Sequence, residues 1–110
     1  MIILGKYEEF APGMGLPSLK DYVRPDSYEG KKEIVAYMKM GDVHLASPSL
    51  VVDELTGKRT GWTRVHMNDG TYSWTSSFLY HLEKYNIRLE PEIEADILSR
   101  YKAMKESADK

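Results

Sequence analysis

The chain has 110 residues, a formal net charge of −2 and no cysteine. That length sustains one hydrophobic core and is short for two ordinary domains, and folding at this size buries roughly 65% of the surface that the unfolded chain exposes. A near-balanced charge argues against a nucleic-acid binder held by a basic field, and the missing cysteines exclude disulfide scaffolds, thiolate metal sites and cysteine nucleophiles. Only Ile2, Ile3 and Leu4 are apolar after Met1 before Gly5 and the charges begin. This is too little for the apolar region of a signal peptide, and no stretch is long and apolar enough to span a bilayer, so a cytoplasmic protein with no membrane contact is expected.

Residues 1–30 hold Pro12, Pro17 and Pro25 together with Gly5, Gly13, Gly15 and Gly30. A short strand over 2–4 is followed by turn chemistry that no long helix or central strand survives. Tyr7, Phe10, Leu16, Leu19, Tyr22, Val23 and Tyr28 are too apolar for a disordered tail, so the segment reads as an irregular arm lying over the core. Ile34, Val35, Tyr37 and Met38 follow helical spacing over 31–40, with Gly41 as the stop. Two brief strands, 43–47 and 50–55, are expected on either side of Pro48, and Thr56-Gly57-Lys58 reads as a turn.

Asp69-Gly70 lies between two β-prone runs and predicts a hairpin over 62–74 with a two-residue type I′ turn. Asn68 would oppose Thr71, Met67 would oppose Tyr72, and Val65 would oppose Trp74. Val65, Met67, Tyr72 and Trp74 then share an apolar face, and Arg64, His66, Asn68, Thr71 and Ser73 take the other. Thr75 or Ser76 caps a helix to about Tyr85, its inner stripe formed by Phe78, Leu82 and Tyr85 while Tyr80, Glu83 and Lys84 point outward. Asn86 ends that helix, 87–89 forms an extended link, and Pro91 opens a last helix with Ile93, Ile97, Tyr101 and Met104 on its stripe. Glu90, Glu92, Glu94 and Asp96 read as a solvated acidic start favoured by the helix dipole, and 107–110 as a frayed tail. Assembled, 1–110 is one α+β domain: a small antiparallel sheet around the hairpin with three helices mainly on its apolar face.

No catalytic pattern stands out. His44, His66 and His81 include no pair at the spacing that offers two ligands to one metal, so neither metal nor cofactor is expected. The serines lack a Gly-x-Ser-x-Gly elbow, and Gly13-Met14-Gly15 lacks the setting of a phosphate loop. Asp53 and Glu54 alternate across a strand and would not converge. The chain has eight tyrosines and two tryptophans, more than the stripes above bury. Trp62 beside Gly61, and Tyr80 on the outer face of its helix, offer the large, low-entropy contact area of protein interfaces, with Asp53, Glu54 and His66 as polar contacts of the same region.

The stretch from Asn68 to Glu92 carries Asp69-Gly70, Trp74 four residues after that glycine, Tyr80 at mid-helix, Glu83-Lys84-Tyr85 and Leu89 before Pro91-Glu92. With the part from Lys31 to Asp53, it resembles a group of small bacterial proteins over residues 31–97. The chain departs from their pattern in having Glu90 between Leu89 and Pro91, Thr75 and Ser76 where a proline is usual, and Ile93 where phenylalanine is usual. The resemblance implies an accessory or immunity protein encoded beside a secreted toxin, with that toxin as the partner, and it transfers no catalytic residue. Two other classes stay open: a small hydrolase-like enzyme using Asp53 or Glu54 with His44 or His66, and a structural or regulatory adaptor. The oligomeric state is not fixed by the sequence.

Overall fold

The computed structural model describes residues 1–108. The chain is an α+β fold with strands β1 (Ile2–Ile3), β2 (Asp42–Val52), β3 (Arg59–Asn68) and β4 (Tyr72–Thr75), and helices α1 (Lys31–Lys39), α2 (Ser76–Tyr85) and α3 (Pro91–Ala108). A 3₁₀ turn, Leu19–Tyr22, interrupts the arm. The sheet order is β1-β4-β3-β2. The β2-β3 and β3-β4 pairs are antiparallel, but β1 joins β4 in parallel, so the sheet is mixed where an antiparallel one was expected. The reason is connectivity: β1 and β4 are separated by most of the chain, which removes the constraint that a tight hairpin places on strand direction.

The β3-β4 hairpin forms with a different register. Asn68 opposes Ser73, Met67 opposes Trp74 and His66 opposes Thr75, a slip of two positions from the expected pairing. Asp69 N–H donates to Tyr72 O at 3.1 Å, so the two central turn residues are Gly70 and Thr71. Gly70 has φ +90° and Thr71 is not left-handed, which places glycine at the first central position as a type II′ turn requires. The Asp69 side chain decides this: its Oδ1 accepts from the N–H groups of Thr71 at 2.9 Å and Tyr72 at 2.7 Å, a job it could not do from inside the turn. Because the slip is even, every side chain keeps its face, and Met67, Tyr72 and Trp74 are buried as the pattern requires.

The helix ends follow local chemistry. Thr75 accepts from Phe78 N–H at the start of α2, and Asn86 ends it with φ 58°. Glu94, read as solvated, is buried, takes two hydrogen bonds from Arg88 at 2.7 and 3.2 Å and accepts from Leu89 N–H at 3.1 Å. Asp96 accepts from Tyr72 Oη at 2.6 Å and Arg100 Nε at 3.1 Å, so the acidic start of α3 is a fastening to the sheet and link. The helix continues through Ser107 and Ala108 where fraying was expected; 109–110 lie outside the described residues.

One apolar cluster joins all parts: Leu4, Tyr7 and Leu19 from the arm, Ile34 and Met38 from α1, Trp74 from β4, Phe78 and Leu82 from α2, Ile87 from the link and Ile97 from α3. Leu4, Tyr7 and Leu19 of the arm are therefore part of the core. Among the described residues no helix is long and apolar enough to cross a membrane.

Candidate functional site

β2 ends at Val52, three residues before the sequence places its end, because Asp53 folds the chain back. Asp53 N–H donates to Lys58 O at 2.8 Å and Gly57 N–H to Asp53 O at 2.7 Å, closing the 53–58 loop. The Asp53 carboxylate is 1% exposed. Its Oδ1 accepts from the N–H groups of Leu55 at 2.9 Å and Thr56 at 3.1 Å, while Oδ2 accepts from the hydroxyls of Tyr80 at 2.7 Å and Tyr85 at 2.6 Å. Lys84 Nζ stands 3.4 Å from Oδ2. Burial pushes the carboxyl up, but the Tyr85, Tyr80, Leu55 and Thr56 donors together outweigh it and hold it well below the usual carboxylate range. Burial, and then the bond to this carboxylate, push the Tyr85 hydroxyl up to about 12. The group is a fixed anion that clamps the β2-β3 loop to α2. Expected at a contact surface, Asp53 is instead enclosed beneath Tyr80 and Tyr85, because a short acid that can seat two turn N–H groups is drawn inside by the tyrosines above it.

Glu54 is half-buried, and its backbone N–H donates to His81 Nε2 at 2.9 Å. His81, fully buried, places Nδ1 2.6 Å from Ser77 O. A donor at one ring nitrogen and an acceptor at the other require the neutral imidazole with its proton on Nδ1, so both nitrogens are engaged. The ring packs between Tyr80 at 5.0 Å, Phe10 at 5.4 Å and Tyr85 at 5.9 Å. No group of His, Cys, Asp and Glu suited to a metal ion occurs among the described residues.

Tyr80 does not project as expected. It is half-buried, with its hydroxyl pinned to Asp53 and its ring meeting Trp62 edge to face at 5.6 Å. Trp62 is also half-buried, with Lys39 Nζ 5.5 Å above its ring, and Lys39 pairs with Glu83 at 3.1 Å. Trp62, Tyr80, Asp53 and Glu54 are thus brought together through α2. His66 is not: it is exposed, its ring lies 6.1 Å from that of His44, and Asn68 Nδ2 is 2.9 Å from His44 Nδ1. Among the described residues, Asp53 makes no hydrogen bond or ion pair with His44 or His66; its partners are Tyr80, Tyr85, Lys84 and the 55–56 turn.

A run of exposed apolar side chains lies on β2, where the sequence predicts two separate strands. It is one strand of eleven residues, running through Pro48. Pro48 is tolerated because it falls in the register shift between Ala46 and Leu50 of an edge strand, where no pairing with β3 is made. Three register shifts break the pairing with β3. Val43 is 55% exposed, Leu45 58% and Leu50 42%, and Met40 at the end of α1 adds 58%. Between Asp42 and Asp53 there is no formally charged side chain. The uncharged run Val43–Val52 was the available signal; what it could not reveal was that the strand lies at an edge. In comparisons with protein-family models, curated proteins and solved structures, the chain matches none.

Proposed function

We propose that this chain is a non-catalytic, cytoplasmic protein-binding domain, and that its partner is a bacterial toxin that it neutralises as an immunity protein. The observation that carries the binding role is the open edge of β2, where Val43, Leu45 and Leu50 are exposed and no Lys or Glu guards the strand. Edge strands of this kind are usually short, charged or covered, since free N–H and C=O groups with apolar side chains pair with any extended segment. A partner strand added there gains backbone hydrogen bonds, and alternate side chains supply specificity. Trp62 and Tyr80 border the same hairpin and offer an aromatic anchor whose geometry Asp53 already fixes. The toxin as partner follows from the resemblance over residues 31–97.

The test is co-purification with the product of the adjacent gene, together with protection of cells expressing it. Leu45→Lys and Trp62→Ala are each expected to weaken the complex by about thirtyfold or more, the loss typical of a central contact, while leaving the domain folded. A neighbouring product that neither binds nor harms unprotected cells refutes the immunity role. An intact complex with both variants refutes the proposed surface. The lack of charge on β2 also favours pairing with a second copy of the chain; light scattering that shows a dimer abolished by Leu45→Lys would assign the edge to self-association.

A further inference from the structure

At the opposite edge of the sheet the chain passes over Phe78 as bare backbone. A Cβ on Gly5 would stand 2.4 Å from Phe78 Cγ, so only glycine lets the arm lie flat on that ring. Beyond the crossing a concavity of about 480 Å³ opens between β1, the arm and the link before α3. This is the size of a small-molecule site. Its apolar wall includes Leu4, Phe78 and Leu89.

The polar groups around it are unusual in being uncommitted. Tyr7 lines the concavity and is only 8% exposed, yet its hydroxyl makes no hydrogen bond among the described residues. The ring is buried while the hydroxyl is not an enclosed orphan, so it reaches solvent and is free to donate to a molecule seated there. Burial pushes that hydroxyl up to about 12, with Tyr22 and Glu90 adding to the effect, so it remains a donor at neutral pH. Lys6 and Arg24 also line the opening, are exposed, and take part in no ion pair among the described residues. Arg88 is committed to Glu94 at 2.7 Å, and Glu90 is the one acid of the lining. On the sheet side, Ile2 N–H donates to Thr71 O at 2.9 Å and Leu4 N–H to Ser73 O at 2.8 Å. The alternation of a strand therefore leaves the N–H and C=O of Ile3 on the free edge.

We infer that this concavity binds a carboxylate carried on an apolar body, the acid received by Arg24, Lys6 and the Tyr7 hydroxyl and the body seated on Phe78 and Leu89. Two unpaired cations beside a free hydroxyl donor complement an anion, and the adjoining apolar wall makes an anion on an apolar body a better fit than a bare inorganic one. The same chemistry is offered by a free aryl or alkyl acid and by the C-terminal residue of an extended peptide lying along Ile3. The site is separate from the β2 edge and does not rest on the toxin reading.

The experiment is an amide chemical-shift titration of the full chain with 3-phenylpropionate, with 3-phenylpropanol as the uncharged counterpart, and with an acetylated tripeptide ending in Phe as free acid or amide. Phenylpropionate is expected to shift Lys6, Tyr7, Phe78 and Leu89, and the alcohol to bind at least about tenfold more weakly, as loss of charge-assisted bonds implies. Arg24→Gln should weaken the acid by about tenfold and leave the alcohol unchanged, and Tyr7→Phe should act in the same direction. Tighter binding of the free-acid tripeptide, with Ile3 also shifted, assigns the peptide as the source; no gain over phenylpropionate assigns the free acid. Equal binding of acid and alcohol, shifts confined to other parts of the chain, or no shift with any probe would overturn the inference.

Discussion

Asp53→Asn removes one charge from the interior and keeps the shape of the side chain. Oδ1 can still accept from Leu55 and Thr56, but the hydroxyls of Tyr80 and Tyr85, now 2.7 and 2.6 Å from the carboxylate, lose their ionised acceptor. A hydrogen bond to a charged group contributes about 1.5–3 kcal/mol and a neutral one about 0.5–1.5 kcal/mol, so the two hydroxyl bonds together lose about 2–3 kcal/mol. Lys84 is mostly solvated and adds little. For a chain of this size about 1 kcal/mol corresponds to about 4 °C, so Tm should fall by roughly 10 °C. The pH dependence has a definite sign. The folded Asp53 carboxyl sits below its ordinary value, so its stabilisation is complete above the unfolded value of about 3.9 and is lost as pH falls from there toward the lower folded value. Urea or thermal denaturation followed by circular dichroism should therefore give the full gap between wild type and Asp53→Asn at pH 7 and a narrowing gap below about pH 4. Asp69, where burial raises the carboxyl but bonds from Tyr37, Tyr72 and Thr71 hold it lower still, leaves the variant with some acid sensitivity of its own. A variant as stable as wild type, or a gap independent of pH, would refute the account of Asp53 as a clamped anion.

Three further outcomes follow from the packing. Gly5→Ala meets both a φ of +79° and the Phe78 ring and should cost about 2–4 kcal/mol, whereas Gly13→Ala, at φ +83° in open space, should cost only about 1 kcal/mol by the same denaturation assay. His81→Ala leaves a cavity and strips the Glu54 N–H of its acceptor, so a loss of about 3 kcal/mol is expected, and a change below about 1 kcal/mol would contradict the bond pattern. Leu45→Lys, on a side chain 58% exposed, should shift stability by no more than about 0.5 kcal/mol, which unfolding of the isolated domain can check.

Local rules carried much of the architecture. The spacing of Ile34, Val35, Tyr37 and Met38, the Thr75 cap, the Asn86 stop and the proline start of α3 each act within a few residues of the chain, and all appear where the sequence puts them. The hairpin is the instructive case, since its register slips by two while its burial survives. Facing depends on parity, whereas register depends on which residue seats the turn N–H groups, and the two hydrogen bonds that Asp69 Oδ1 accepts from Thr71 and Tyr72 overrode the usual preference of an Asp-Gly pair.

The sequence by itself determined the α+β class, the helix starts and the Asn86 stop, the apolar side of the hairpin and the need for the arm to cover something. Only the tertiary structure decided that β1 pairs in parallel with β4, that β2 is an edge, that Tyr80 turns its hydroxyl inward and that Asp53 is buried beneath it. Each of these depends on groups separated by long stretches of chain, and periodicity sees only near neighbours. Asp53 and Tyr80 stand 27 positions apart, and nothing short of the folded chain brings an aspartate and two tyrosine hydroxyls within hydrogen-bond distance.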